Sequence, residues 1–230
     1  MNAAEGARAR ARTEVTAAIK DEARRQLAAE GAAKLSLRAV ARELGMVSSA
    51  LYRYFPSRDD LLTALIIDAY DSLGEAAETA QADVPEGELT RRWTTVCEAV
   101  RGWALARPHE YALIYGSPVP GYAAPATTVP SAARVTMVLI GVVRDAHDGP
   151  GLTGVSLPDE LRPEAERMAA DIAPGLPPEA ASAMVAAWAE LFGLIGFEVF
   201  GQFTRVVEDR ERFFRHAAAR LGASVGLPAA

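Results

Sequence analysis

The sequence predicts an all-α fold in two functional parts, and three observations predict it. Apolar residues recur at i, i+3, i+4 and i+7 in one segment after another, as in Leu37, Val40, Ala41 and Leu44, which places them on one helical face. Within residues 36–55, Gly45-Met46-Val47 leaves room only for a tight corner between two short helices. Residues 178–203 hold Met184, Val185, Trp188, Leu191, Phe192, Ile195, Phe197, Val199, Phe200 and Phe203 with almost no polar side. A helix apolar all round must be buried on more than one face. The expected architecture is an N-terminal three-helix domain containing a helix-turn-helix, followed by a larger helical domain. The expected boundaries are a mobile basic arm over residues 1–12, the small domain over 13–60 and the large one over 61–230.

The arm is small and basic, with Arg8, Arg10 and Arg12. The first helix is expected over residues 13–30, with Val15, Ile19, Ala23 and Leu27 as its apolar stripe and Gly31 as its stop. The next helix starts at Ser36, a residue type whose hydroxyl accepts from a free backbone N–H, and ends at Gly45, where a left-handed residue costs least. Helical spacing resumes over residues 48–54, with Val47, Leu51 and Phe55 on one side and Ser48, Ser49, Tyr52 and Arg53 on the other. Pro56 ends it by pushing the preceding residue out of helical geometry.

Two helices joined by a short glycine-containing turn form the helix-turn-helix pattern. A second helix exposing hydroxyls and an arginine fits the major groove of duplex DNA, where these groups reach base edges and phosphates. The plainer alternative is an ordinary corner in a helical core. The arm's arginines would lie along the minor groove or phosphates, as basic arms do elsewhere, or form a solvated tail.

The run Leu51-Tyr52-Arg53-Tyr54-Phe55-Pro56-Ser57-Arg58-Asp59-Asp60-Leu61-Leu62 resembles the LYxYFxxKxxLL pattern that closes the DNA-binding domain of TetR-family transcriptional regulators. The likeness extends back through residues 35–45 and covers roughly residues 13–65. Arg58 replaces the usual lysine, exchanging a point cation for a planar fork. Met46 and Val47 depart from the family's more common Val followed by a polar residue. The resemblance implies phosphate bonds from Tyr52 and Arg58, and base contacts mainly from Arg38, Ser48 and Ser49. The full candidate set for DNA contact is Ser36, Arg38, Ser48, Ser49, Tyr52, Arg53, Tyr54 and Arg58.

Ser57 and Asp60 form an S-x-x-D cap for a fourth helix, with Asp59 and Asp60 at the positive end of its dipole. Leu61, Leu62, Leu65, Ile66, Ala69 and Leu73 carry its apolar face onward, and no Gly/Ser/Pro linker intervenes before about residue 84. A further helix follows with Trp93, Val96, Cys97, Val100, Trp103 and Ala104 on one face, then a short one opened by Pro108. Residues 116–130 hold four prolines and two glycines and read as an extended loop. Residues 131–147 read as an apolar helix and 159–172 as a short charged one. The last helix is expected over residues 209–221. The stretch from Trp103 to Gly116 is similar to the ligand domain of one TetR subgroup that carries a tryptophan, a histidine after proline and a later glycine.

The net charge of −6 is unevenly placed. Residues 1–60 hold eleven Lys/Arg against eight Asp/Glu, a balance of +3, leaving −9 for the rest. A locally basic reader on an acidic body suits phosphate contact without indiscriminate wrapping by DNA. No run approaches the roughly 18 uninterrupted apolar residues of a membrane span, and the N-terminus lacks a signal-peptide core. A cytoplasmic protein with no membrane partner is expected.

Cys97 is the only cysteine, so neither an internal disulfide nor a cysteine-based zinc site can form. His109, His147 and His216 share no ligand spacing, so no metal and no cofactor is expected. No nucleophile elbow, Walker loop or nucleophile–base pair points to an enzyme.

The last two helices are the candidate seam of a homodimer, as the TetR resemblance also implies, unless they merely complete a monomer core. Two reading helices related by a twofold axis would bind an inverted repeat, so operator DNA is the expected partner. An effector pocket is expected from Trp103, Tyr111, Tyr115, Met137, Trp188 and Phe192, although each of these could equally be a core residue. A small apolar or aromatic effector would then release the DNA, repression being the family's commonest mode. The rival reading is a helical carrier of small molecules without regulatory DNA binding.

Overall fold

A computed structural model describes residues 3–228, which form ten α-helices and three short 3-10 turns, with no strand among them. The chain divides into two compact units. Met1–Tyr70 joins Arg107–Val129 in the first, and Asp71–Ala106 joins Pro130–Ala230 in the second.

In the first unit, α1 spans Ala3–Glu30. It begins ten residues before the predicted start, so the stretch expected as a mobile arm is helical from Ala3. Alanine, arginine and glutamate propagate a helix well once later turns are docked, and Gly6 alone opposes it there. Ile19, Ala23 and Leu27 dock those turns, and Gly31, at φ +79°, ends the helix.

Helix α2 spans Leu37–Glu43, and the Ser36 Oγ accepts from the Ala39 N–H at 3.4 Å, as its cap position predicts. Gly45 adopts φ +62°. The Met46 N–H bonds the Ala41 carbonyl at 2.8 Å and the Gly45 N–H the Arg42 carbonyl at 3.1 Å, the paired bonds of a Schellman stop. Helix α3, Ser48–Leu51, is shorter than predicted, and Tyr52 to Tyr54 continue as hydrogen-bonded turns. Val47 departs from expectation too. It is 70% exposed, while Leu51 and Phe55 are buried. As the residue preceding α3 it has extended backbone geometry, so helical periodicity does not fix its direction.

Helix α4 spans Arg58–Ala82. The Asp60 N–H donates to the Ser57 Oγ at 3.1 Å, and that hydroxyl donates to Asp60 Oδ2 at 2.7 Å. The unit's core gathers Ile19, Ala23, Leu27, Leu37, Val40, Ala41, Leu51, Leu61, Leu62 and Leu65.

After α5 (Leu89–Ala106), helix α6 (Pro108–Tyr115) and the segment following it belong to this first unit. Leu113, Val119 and Tyr122 pack on the first core, the Thr63 and Tyr122 hydroxyls lie 2.9 Å apart, and the Tyr70 phenol donates to the Ile114 carbonyl at 3.3 Å. Periodicity marks a helix but not the partner that covers it.

The second unit contains α5, α7 (Val129–Asp148) from Pro130 onward, α8 (Arg162–Ile172), α9 (Pro178–Val199) and α10 (Arg210–Ser224). Trp93 sits fully buried and donates its indole N–H to the Ala218 carbonyl at 3.0 Å. Gly222 makes that approach possible, since a Cβ there would stand 3.1 Å from the Trp93 ring. Arg101 on α5 grips Glu198 on α9 with two bonds of 2.7 Å and lies over the Phe214 ring at 5.3 Å.

Arg134 on α7 crosses α4 at Gly74. It bonds both Glu78 oxygens, at 2.8 and 2.7 Å, and the Asp71 carbonyl at 2.9 Å. Cys97 is buried, and burial pushes its thiol pKa up.

Helix α9 stops at Val199 rather than running to 203, because Gly201 at φ +82° turns the chain. The all-round burial expected of it is not met within the chain. Trp188, Phe197 and Phe200 are 38%, 54% and 46% exposed, joined by Val206 at 74% and Phe213 at 42%. By length and composition alone, Ala126–Asp148 and Pro178–Val199 are apolar enough to cross a membrane, a test that core helices of soluble proteins also pass. The second of these carries Glu179, Glu190 and the paired Glu198.

Candidate nucleic-acid interface

Because α3 is barely more than a turn, its outward positions form a compact set. Leu51, fully buried, and Phe55 tie it into the core that α2 shares with α1 and the start of α4. Ser48, Ser49, Tyr52 and Arg53 are all exposed, Tyr52 by 42%, so its ring is not a packed core aromatic. Arg38 is exposed in the first turn of α2, while Ser36 is half-buried with its oxygen engaged in the cap. The arrangement offers hydroxyls, a phenol and two guanidinium groups on one small unit, a mixture able to bond base edges and phosphate oxygens.

Two candidate residues have other partners. Arg58 is directed at the turn before α2, donating to the Ala32, Ala33 and Leu35 carbonyls at 2.9, 3.2 and 3.2 Å. Its Nη1 lies 3.6 Å from Asp59. Tyr54 is half-buried, packed on the core, with the Arg12 guanidinium carbon 5.4 Å from its ring centroid. Val47, which sequence reasoning set on the buried side, is the exposed apolar residue at the entry to α3. Its place just ahead of the helix start was the signal that could have found it.

The expected pocket residues lie in both units. In the first, Tyr111 is 1% exposed and its ring centroid lies 5.3 Å from that of Tyr115, which meets Tyr70 edge-on at 5.9 Å. Burial raises the pKa of all three phenols. In the second, Trp103 is buried with its indole N–H on the Ser72 Oγ at 3.0 Å, and Trp188 and Phe192 stand 5.7 Å apart. Met137 is 48% exposed. A separate cavity of about 560 Å³ opens between α9 and α10, lined by Glu190, Phe197, Phe203, Phe213, His216 and Arg220 among others. Among the described residues, no group of three or more His, Cys, Asp or Glu is placed to hold a metal ion.

The chain is similar to several known proteins. The family model described as "Bacterial regulatory proteins, tetR family" matches residues 19–65, and "Tetracyclin repressor-like, C-terminal domain" matches residues 93–221. The chain is 41% identical over 206 residues to HTH-type transcriptional regulators of Mycobacterium tuberculosis and Mycobacterium bovis, covering 86% of each partner in the alignment. It is similar to the crystal structure of the regulatory protein SCO4313, at 34% identity and TM-score 0.77, covering 92% of this chain and 97% of that one. RolR, solved with its ligand resorcinol, shares the fold alone, at 14% identity and TM-score 0.54 over 96% and 98% of the two chains.

Proposed function

This chain belongs to the TetR family and is a helix-turn-helix DNA-binding transcriptional regulator, and on that premise we propose that it represses as a homodimer, holding a palindromic operator until an effector binds. The observation that carries the reading is the outward set Ser48, Ser49, Tyr52 and Arg53 on α3 and the turn that continues it, anchored from behind by Leu51. With Arg38 they read bases, and Tyr52 and Arg53 also bond phosphates. Val47 adds an apolar surface suited to a thymine methyl. Ser36, Tyr54 and Arg58 contribute mainly by fixing the cap, the end of α3 and the turn before α2, and reach the backbone with their remaining donors.

Dimerisation is supported by the uncovered aromatics of α9 and α10. A contiguous apolar face on a protein otherwise able to bury its core marks an association surface. Two copies paired there hold α3 and its counterpart for half-sites about 34–36 Å apart, or a multiple of that. Of the expected pocket residues, Trp103, Met137, Trp188 and Phe192 of the second unit are the ones proposed to recognise a small apolar or aromatic effector. Its binding favours a dimer whose recognition helices no longer match successive major grooves, and release follows from that difference in affinity. The setting is the cytoplasm, with no membrane partner.

Fluorescence anisotropy with duplex DNA from immediately upstream of the coding region, with and without excess random duplex, tests the reading. Specific, saturable binding with one dimer per palindrome is expected. Equal affinity for upstream and random duplex would leave the protein a helical small-molecule carrier instead.

A further inference from the structure

Residues 7–14 of α1 are exposed on every side, so these turns bury nothing in the unit from which they grow. They carry Arg8, Arg10 and Arg12, with Glu14 as the lone acid. Arg12 has a defined neighbour: its guanidinium carbon sits 5.4 Å from the centroid of the Tyr54 ring. Tyr54 directly follows Tyr52 and Arg53, the outward residues of the turn that continues the reading helix. The start of α1 is therefore continuous with the surface that faces bases. An i, i+4 spacing sets Arg8 on the same face as Arg12, one turn farther out, whereas Arg10 is rotated from each by about 200°.

We infer that the first turns of α1 are a second DNA-contact element, in which Arg8 and Arg12 bond phosphates flanking the bases read from α3. The inference rests on the DNA-binding reading above. Two features of the surface select duplex DNA as its occupant. The face is cationic where a phosphate backbone is anionic, and its inner end adjoins the reading helix at Tyr54. A contact of this kind adds affinity and registers the protein on the duplex, and carries no base preference of its own.

The test uses the full chain and a palindromic duplex selected by wild-type protein from a random pool, with anisotropy titrations across a range of salt concentrations. Replacing both Arg8 and Arg12 by Gln removes four phosphate contacts from each dimer and should make the slope of log affinity against log salt shallower by about 3.6, at about 0.9 per lost contact. The ranking of mismatched duplexes should stay unchanged. Exchanging both for Lys should restore the slope, and Arg10→Gln alone should leave it intact. A double variant with the wild-type slope overturns this inference while leaving the regulator reading standing, and an Arg10→Gln effect as large as the double variant's overturns the assignment to one face. A wild-type protein that selects no duplex overturns both readings.

Discussion

Arg58 donates to three backbone carbonyls, so cutting back its side chain leaves the turn ahead of α2 without the group that closes it. Arg58→Ala should lower unfolding free energy by about 1.5–3 kcal/mol in chemical denaturation, the usual range for hydrogen bonds to a charged group. Arg38 has a different signature, being exposed in the first turn of α2. Arg38→Ala should leave stability alone and relax preference at one base position by about 1–3 kcal/mol, read by competition among single-base variants of the operator. Unchanged discrimination at every position would remove Arg38 from the reading set. The tyrosines give a pH signature. Burial raises the pKa of Tyr70, Tyr111 and Tyr115, so the folded chain keeps their protons after the unfolded chain has begun to lose its own. Their contribution to stability is complete below about pH 10 and is lost as pH climbs above it. In an alkaline titration followed by phenolate absorbance, Tyr111 and Tyr115 should ionise late, with part of the phenolate signal rising together with unfolding.

Helices α4 and α7 meet where α4 has no side chain. A Cβ at Gly74 would stand 2.7 Å from both Cβ and Nε of Arg134. Gly74→Ala should therefore cost about 1–3 kcal/mol through overpacking, despite alanine's better helix propensity, and thermal melting should show it. These elements differ in how far the sequence disclosed them. Caps and stops at Ser36, Gly45 and Ser57 act within a few residues, so composition alone placed the corner of the helix-turn-helix. The outward face of α3 followed from the burial of Leu51. Val47 escaped because it precedes the helix, where periodicity carries no directional information. The packing of α6 and the segment after it on the first core was not legible, because Leu113, Val119 and Tyr122 meet residues far away in sequence. The start of α1 was missed since a stretch without an apolar stripe gives no periodic signal, although its residues favour helix.

For the whole molecule, the uncovered aromatics of α9 and α10 make the association state the decisive property. Phe197→Glu changes a side chain already 54% exposed, so the subunit fold should survive. Sedimentation velocity should then find monomers at micromolar concentration, and specific DNA binding should be lost with the dimer; a fully dimeric variant would place the seam elsewhere. The polar link behind that face is more sensitive. Glu198 is 8% exposed and held by Arg101, so Arg101→Ala strands a buried carboxylate and should cost about 3–5 kcal/mol. The lone buried thiol of Cys97 has a practical consequence of its own. With burial raising its pKa, it should ignore maleimides in the native state, so an exposed replacement away from the reading residues and the seam, such as Lys34→Cys, provides a single attachment point for a spin label or fluorophore without removing the natural cysteine. In the proposed homodimer, distances between labels on the two copies can then follow the spread of the recognition helices directly, with and without candidate effectors.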